Sequence, residues 1–188
     1  MDPAAVDTID DEPRFWEHVP GERLDTRAAA QGDPASVHTW LAARPAVATR
    51  LLAALLELHV GIVAAGWIAG DLYDGCLLFD RESARLSVID LDGYHRGSTI
   101  NAMGRMFGSS RWMAPEEFEP GAAIDERTTV FTLGRAIAWI LGNGSDDRRA
   151  FRGNDRQWDA VQEATAADPG ARIQTVAALA ATFSGDGT

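Results

Sequence analysis

Apolar positions along the chain fall into a few dense blocks separated by polar or glycine-bearing stretches. The densest runs from Pro45 to Gly66. There Val47, Leu51, Leu52, Leu55, Leu56, Leu58, Ile62 and Val63 cover most of a helical circumference, so the spacing predicts a core helix opened by Pro45 and ended by Gly66. Ser36 is placed to cap a shorter helix before it, running to Arg44. Two short apolar runs, Cys76 to Phe79 and Leu86 to Ile89, flank the polar stretch Asp80 to Arg85 and predict a hairpin. Val130, Phe131, Leu133, Ile137, Ile140 and Leu141 predict a second buried helix ended by Gly142. Amphipathic spacing predicts two more helices, Trp158 to Ala166 and Thr175 to Phe183, around an Asp168-Pro169-Gly170 turn. Arg14 to Val19 is a short strand candidate before the Pro20-Gly21 turn, and residues 93–113 read as one long loop. The expected fold is mainly α with a small β-hairpin.

Length and composition narrow the class. A chain of 188 residues, 46% hydrophobic and 24% charged, can bury a core without disulfide or metal staples. The longest uninterrupted apolar stretch, Val60 to Ala69, is too short to span a bilayer, so no membrane association is expected. The single cysteine, Cys76, forms no internal disulfide, which fits a cytoplasmic location. A net charge of −11 argues against general nucleic-acid binding. All 17 basic residues are arginine, so any chemistry that needs a lysine amine is absent from this sequence.

Chemistry-bearing residues concentrate between positions 66 and 134. The buried helix leads into Gly70-Asp71-Leu72-Tyr73-Asp74-Gly75, then the hairpin, then Val88-Ile89-Asp90-Leu91-Asp92. A glycine-bearing loop follows, then Met113-Ala114-Pro115-Glu116, then an apolar helix containing Phe131-Thr132-Leu133-Gly134. Taken singly, Asp90 and Asp92 read equally well as caps of a strand end, and Asp71 as a loop residue satisfying backbone amides.

In this order, the residues resemble the large C-terminal lobe of a protein kinase, with the Ala-Pro-Glu signature intact. The nearest likeness is to bacterial serine/threonine kinase-like proteins, and it covers about residues 14–184. It divides the chain into an acidic tail (1–13), a hinge-like strand and turn (14–24) and a C-lobe (25–188). It implies ATP and magnesium as cofactors. Asp71 matches the catalytic aspartate that orients the attacking hydroxyl, and Asp90 and Asp92 match a metal-binding pair that Asp74 could supplement. Glu17 and Val19 fall on the hinge that lines a nucleotide site. Glu116 and Arg172 match the structural ion pair that closes the lobe.

The departures are equally specific. Ala69-Gly70 stands where the family has histidine-arginine, Cys76 where an asparagine holds a second magnesium, and Thr129 where a buried aspartate braces the catalytic loop. Cys76 reads either as a buried thiol or as a nucleophile, with His59 unplaced. No glycine-rich phosphate loop precedes Phe15 and no lysine is present, so the resemblance does not extend to a small lobe and the isolated chain is expected to show little or no activity. Completion by a partner or an upstream segment, or service as a pseudokinase scaffold, are the alternatives. Phe15 and Trp16 would then form an open strand edge, favouring self-association or a protein partner. Trp40, Trp67, Trp112, Trp139 and Trp158 are expected in the core. In the loop before Ala114, Thr99, Ser109 and Ser110 are candidate phosphosites, and Arg105 and Arg111 are expected to pair with carboxylates.

Overall fold

A computed structural model describes residues 21–24 and 36–185. The strand candidate Arg14 to Val19, with Glu17 and Val19, lies outside the described residues.

Among the described residues, five helices form the core. Ser36 caps α1 (Val37–Ala42) by accepting the Thr39 amide. After two residues, Pro45 opens α2 (Pro45–Ala64), which ends before Gly66, a glycine at φ +83°. Asp125 caps α3 (Glu126–Leu141), Asn154 caps α4 (Asp155–Ala164), and Thr175 caps α5 (Val176–Ser184). Helix α4 begins three residues before the apolar pattern predicts. Its first turn, Asp155-Arg156, is polar, and the start is set by the reciprocal bonds between Asn154 and Gln157.

Helix α2 packs on α3 and α5, and α4 bridges α3 and α5. Leu51, Leu52, Leu55 and Leu56 of α2 meet Leu133, Ile137 and Ile140 of α3 and Leu179 and Phe183 of α5 in one buried cluster. Gly134 lies mid-helix because α3 and α4 touch there: a Cβ would stand 2.8 Å from the Ala164 methyl. Helix α2 is long and apolar enough to cross a membrane by length and composition, which the count of uninterrupted apolar residues overlooks. It is a core helix here, with Ala48, Leu51, Leu52, Leu55, Leu56 and His59 buried.

Among the described residues the strands form three small antiparallel sheets. Strands β3 (Leu77–Asp80) and β4 (Arg85–Val88) form the expected hairpin, pairing Leu77 with Val88 and Asp80 with Arg85. Phe79 and Leu77 point into the core. The Asp80 carboxylate fixes the turn by accepting from the Glu82 amide (3.0 Å) and the Ser83 hydroxyl (2.6 Å). Strand β1 (Glu22–Arg23) pairs on the other side of β3.

The stretch 93–113 is not one loop. Strand β2 (Trp67–Ile68) pairs with β5 (His95–Arg96), and β6 (Thr99–Ile100) pairs with β7 (Ala123–Ile124). Each of these strands has two residues, too few for alternation to register. Trp67 also departs from expectation. It is 39% exposed on β2, with the Arg96 guanidinium 5.7 Å from its ring centre, whereas Trp112 is buried.

Candidate functional site

The acidic residues of the sequence motif are presented by two turns that follow β2 and β4. Asp71 follows β2 and has φ 53°, while Asp90 follows β4 and has φ 61°. Both occupy the left-handed region, which aspartate tolerates better than most residues and which recurs where a side chain must be aimed at a site. Burial, and then the charge of Asp90, raise the Asp71 carboxyl above its ordinary value. One Asp71 carboxylate oxygen is buried without a hydrogen-bond partner among the described residues. The turns are therefore electrostatic neighbours, and they concentrate negative charge at Asp71.

Backbone contact brings the turns together. A Cβ on Gly70 would collide with the Gly93 carbonyl, and one on Gly93 would stand 2.7 Å from the Gly70 oxygen and 2.9 Å from the Asp71 Cβ. Position 70 thus accepts no side chain, which accounts for glycine where the resemblance leads one to expect arginine. Replacing Gly70 with alanine is expected to cost about 1–3 kcal/mol by overpacking a backbone-to-backbone contact. Urea unfolding checks this, and an unchanged midpoint would show that the turns separate freely.

The Asp71 turn is held from below. Thr129 of α3 accepts the Ala69 amide on its hydroxyl at 3.1 Å, so a neutral group holds the turn where the resemblance leads one to expect a buried aspartate. Cys76 sits in the short 3-10 turn Asp74–Cys76, and its thiol points at the Asp71 carbonyl, 3.4 Å away. Burial pushes that thiol up to about 11, which favours its protonated form at neutral pH and fits the buried-thiol reading of Cys76.

Asp74 is not the exposed turn residue that its neighbours suggest. It is buried and accepts from Arg111 Nη2 at 3.2 and 3.3 Å, which commits its carboxylate to a guanidinium. Asp90 and Asp92 are exposed. Among the described residues no three His, Cys, Asp or Glu side chains are grouped as a metal site. Magnesium commonly takes one or two carboxylates and completes its shell with phosphate and water, so the exposed carboxylates of Asp90 and Asp92 have the chemistry of such donors.

Further down, Pro115–Phe118 forms a 3-10 turn. Arg172 donates to Glu116 Oε1 at 2.5 Å and Oε2 at 2.7 Å, and the Thr128 hydroxyl donates to Oε1 at 2.9 Å. Glu117 escaped the sequence reading. Its side chain is buried and accepts the Ala114 amide at 2.6 Å. Its only trace in the sequence is a second glutamate after a proline, where a reach-back cap forms. Asn101, also overlooked, donates to the Gly104 and Glu116 carbonyls and accepts the Met103 and Gly104 amides, tying the loop after β6 to that turn. Of the two loop arginines, Arg111 pairs with Asp74, whereas Arg105 donates to the Met106 and Gly108 carbonyls.

No family model and no curated protein matches the sequence. Among solved structures, the fold is similar to that of PK-1, a kinase of Cydia pomonella granulovirus, with a TM-score of 0.58 and 16% identity. The match covers 71% of this chain and 56% of that one, so the chain spans little more than half the length of the viral kinase. At this identity the likeness shows the fold, which is protein-kinase-like.

Proposed function

We propose that this chain is the large lobe of a serine/threonine protein kinase-like phosphotransferase, which by itself transfers phosphate slowly or not at all. The observation that carries this reading is the apposition of the Asp71 and Asp90 turns across the Gly70–Gly93 contact, on a kinase-like fold. Phosphoryl transfer needs an aligned nucleophile and cations on the phosphates more than it needs covalent help. Asp71, with its raised affinity for a proton and an unpartnered oxygen, suits a group that orients a substrate hydroxyl and takes its proton. Asp90, with Asp92 beside it, would hold magnesium, which when bound offsets charge on the transferring phosphate. The sequence contains no lysine, so the cation that grips the α- and β-phosphates would come from a partner chain or another segment.

Titration with ATP and magnesium tests the reading. Ligand at a hundred times its dissociation constant adds about 2.7 kcal/mol to stability, which raises the melting temperature of a domain this size by roughly 5–10 °C. The shift is expected to need magnesium and to shrink in Asp90→Asn. The absence of any shift at millimolar nucleotide would overturn the enzyme reading. It would favour a second one, a pseudokinase scaffold that binds a protein partner, which the buried thiol at Cys76, where the family has an asparagine, and the commitment of Asp74 to Arg111 already support.

A further inference from the structure

A buried histidine and a half-buried tyrosine far apart in sequence meet behind the Asp90 turn. His59, on α2, is fully buried. Its Nδ1 lies 2.8 Å from the Leu55 carbonyl, which can only accept, so Nδ1 carries the ring proton. That leaves Nε2 as an acceptor, and the Tyr94 hydroxyl lies 2.8 Å from it and donates. The rings are 6.0 Å apart and tilted by 39°. Burial lowers the proton affinity of the imidazole and raises that of the phenol, which keeps both neutral in these roles. Tyr94 also donates its amide to the Leu91 carbonyl at 2.9 Å, closing the turn that directly follows Asp90. The residue before it, Gly93, is the one that presses on Gly70 beside Asp71.

We propose that His59 and Tyr94 form a positioning clasp that holds the Asp90 turn against the Asp71 turn. Neither residue touches the reacting groups. The clasp anchors Tyr94 to the core helix α2, the Tyr94 amide and Gly93 hold the turn closed, and Gly93 transmits that placement to Gly70. Thr129 fixes the other side through Ala69. The spacing of the two carboxylates is thereby set from α2 on one side and α3 on the other. The inference rests on the functional reading above only for what the spacing serves, because the clasp itself is a statement about geometry.

Tyr94→Phe keeps the ring and removes only the hydroxyl. One hydrogen bond of ordinary net strength corresponds to about a fivefold change in local opening. Amide hydrogen exchange in the full chain is therefore expected to quicken about fivefold across both 67–72 and 89–96, with α3 and α5 unchanged. Exchange unaltered in both segments, or quickened equally in every helix, would overturn the clasp. His59→Phe, which removes the acceptor, is expected to reproduce the same local pattern. Nucleotide affinity measured with and without magnesium separates the clasp from the functional reading. In Tyr94→Phe the magnesium-dependent part of the affinity is expected to fall about fivefold while the magnesium-free affinity holds, and equal loss in both would reduce the clasp to a general packing contact. Wild-type protein that binds no nucleotide sinks the phosphotransferase reading, and the exchange pattern then decides the clasp alone.

Discussion

Arg172→Ala is expected to destabilise the protein by about 3–5 kcal/mol, the loss that follows when one member of a buried ion pair is removed. The arginine is 3% exposed and Glu116 is 5% exposed, so neither charge has water to fall back on. The guanidinium also donates to the carbonyls of Ala166 (2.7 Å), Ala167 (3.0 Å) and Arg127 (3.2 Å), and it lies 4.8 Å from the ring centre of Phe131. Deleting it strands a carboxylate that keeps the Thr128 hydroxyl, together with three carbonyls that lose a donor. Lysine does not rescue the site, because a single ammonium cannot reproduce the planar fork that meets both carboxylate oxygens. Replacing Arg172 and Glu116 together with leucine is expected to recover part of the loss by removing both charges. Urea unfolding of the three variants decides the matter. A single-variant loss under about 1 kcal/mol would mean that the pair behaves as an exposed one.

Glu117→Gln is expected to flatten the fall in stability between pH 5 and pH 8. Burial pushes the Glu117 carboxyl up to about 7; the Ala114 amide and Arg172 oppose the rise, while Glu116 and Asp71 add to it. A carboxyl whose folded value lies above its unfolded value contributes stability that is complete below about pH 4.5 and is lost as pH climbs through about 7. At pH 8 the folded protein carries a buried carboxylate, at a cost on the order of 3 kcal/mol for a rise of this size. Glutamine keeps a carbonyl for the Ala114 amide and never ionises. The variant should therefore gain on the wild type at pH 8 and match it near pH 5. Parallel stability curves for the two proteins would show that water reaches the wild-type carboxylate.

Features governed by local pattern were legible in the sequence, and features made by distant chain segments meeting were not. Leu51, Leu52, Leu55 and Leu56 specify a buried helix without help from the rest of the chain, and the hairpin follows from two apolar runs around a polar turn. The order Asp71, Asp90, Ala114-Pro115-Glu116 pointed to a kinase-like fold, and the structure is similar to that of a viral kinase. The Gly70–Gly93 contact, the His59–Tyr94 bond and the Asp74–Arg111 pair join residues 23, 35 and 37 positions apart, and no local periodicity records such pairings. Strands β5, β6 and β7 escaped for a related reason: a two-residue strand exists only through its partner. Trp67 was misplaced because aromatic character favours burial, whereas its position at the start of β2 turns the ring toward Arg96.

The hydroxyl of Thr129 has a consequence for how the Asp71 turn responds to its surroundings. A carboxylate under Ala69 would tie the placement of that turn to acidity and ionic strength, since protonation or screening would weaken the hold. An alcohol has no such dependence in the range where proteins survive. The hold on Ala69 is thereby made by a bond that neither protonation nor screening loosens.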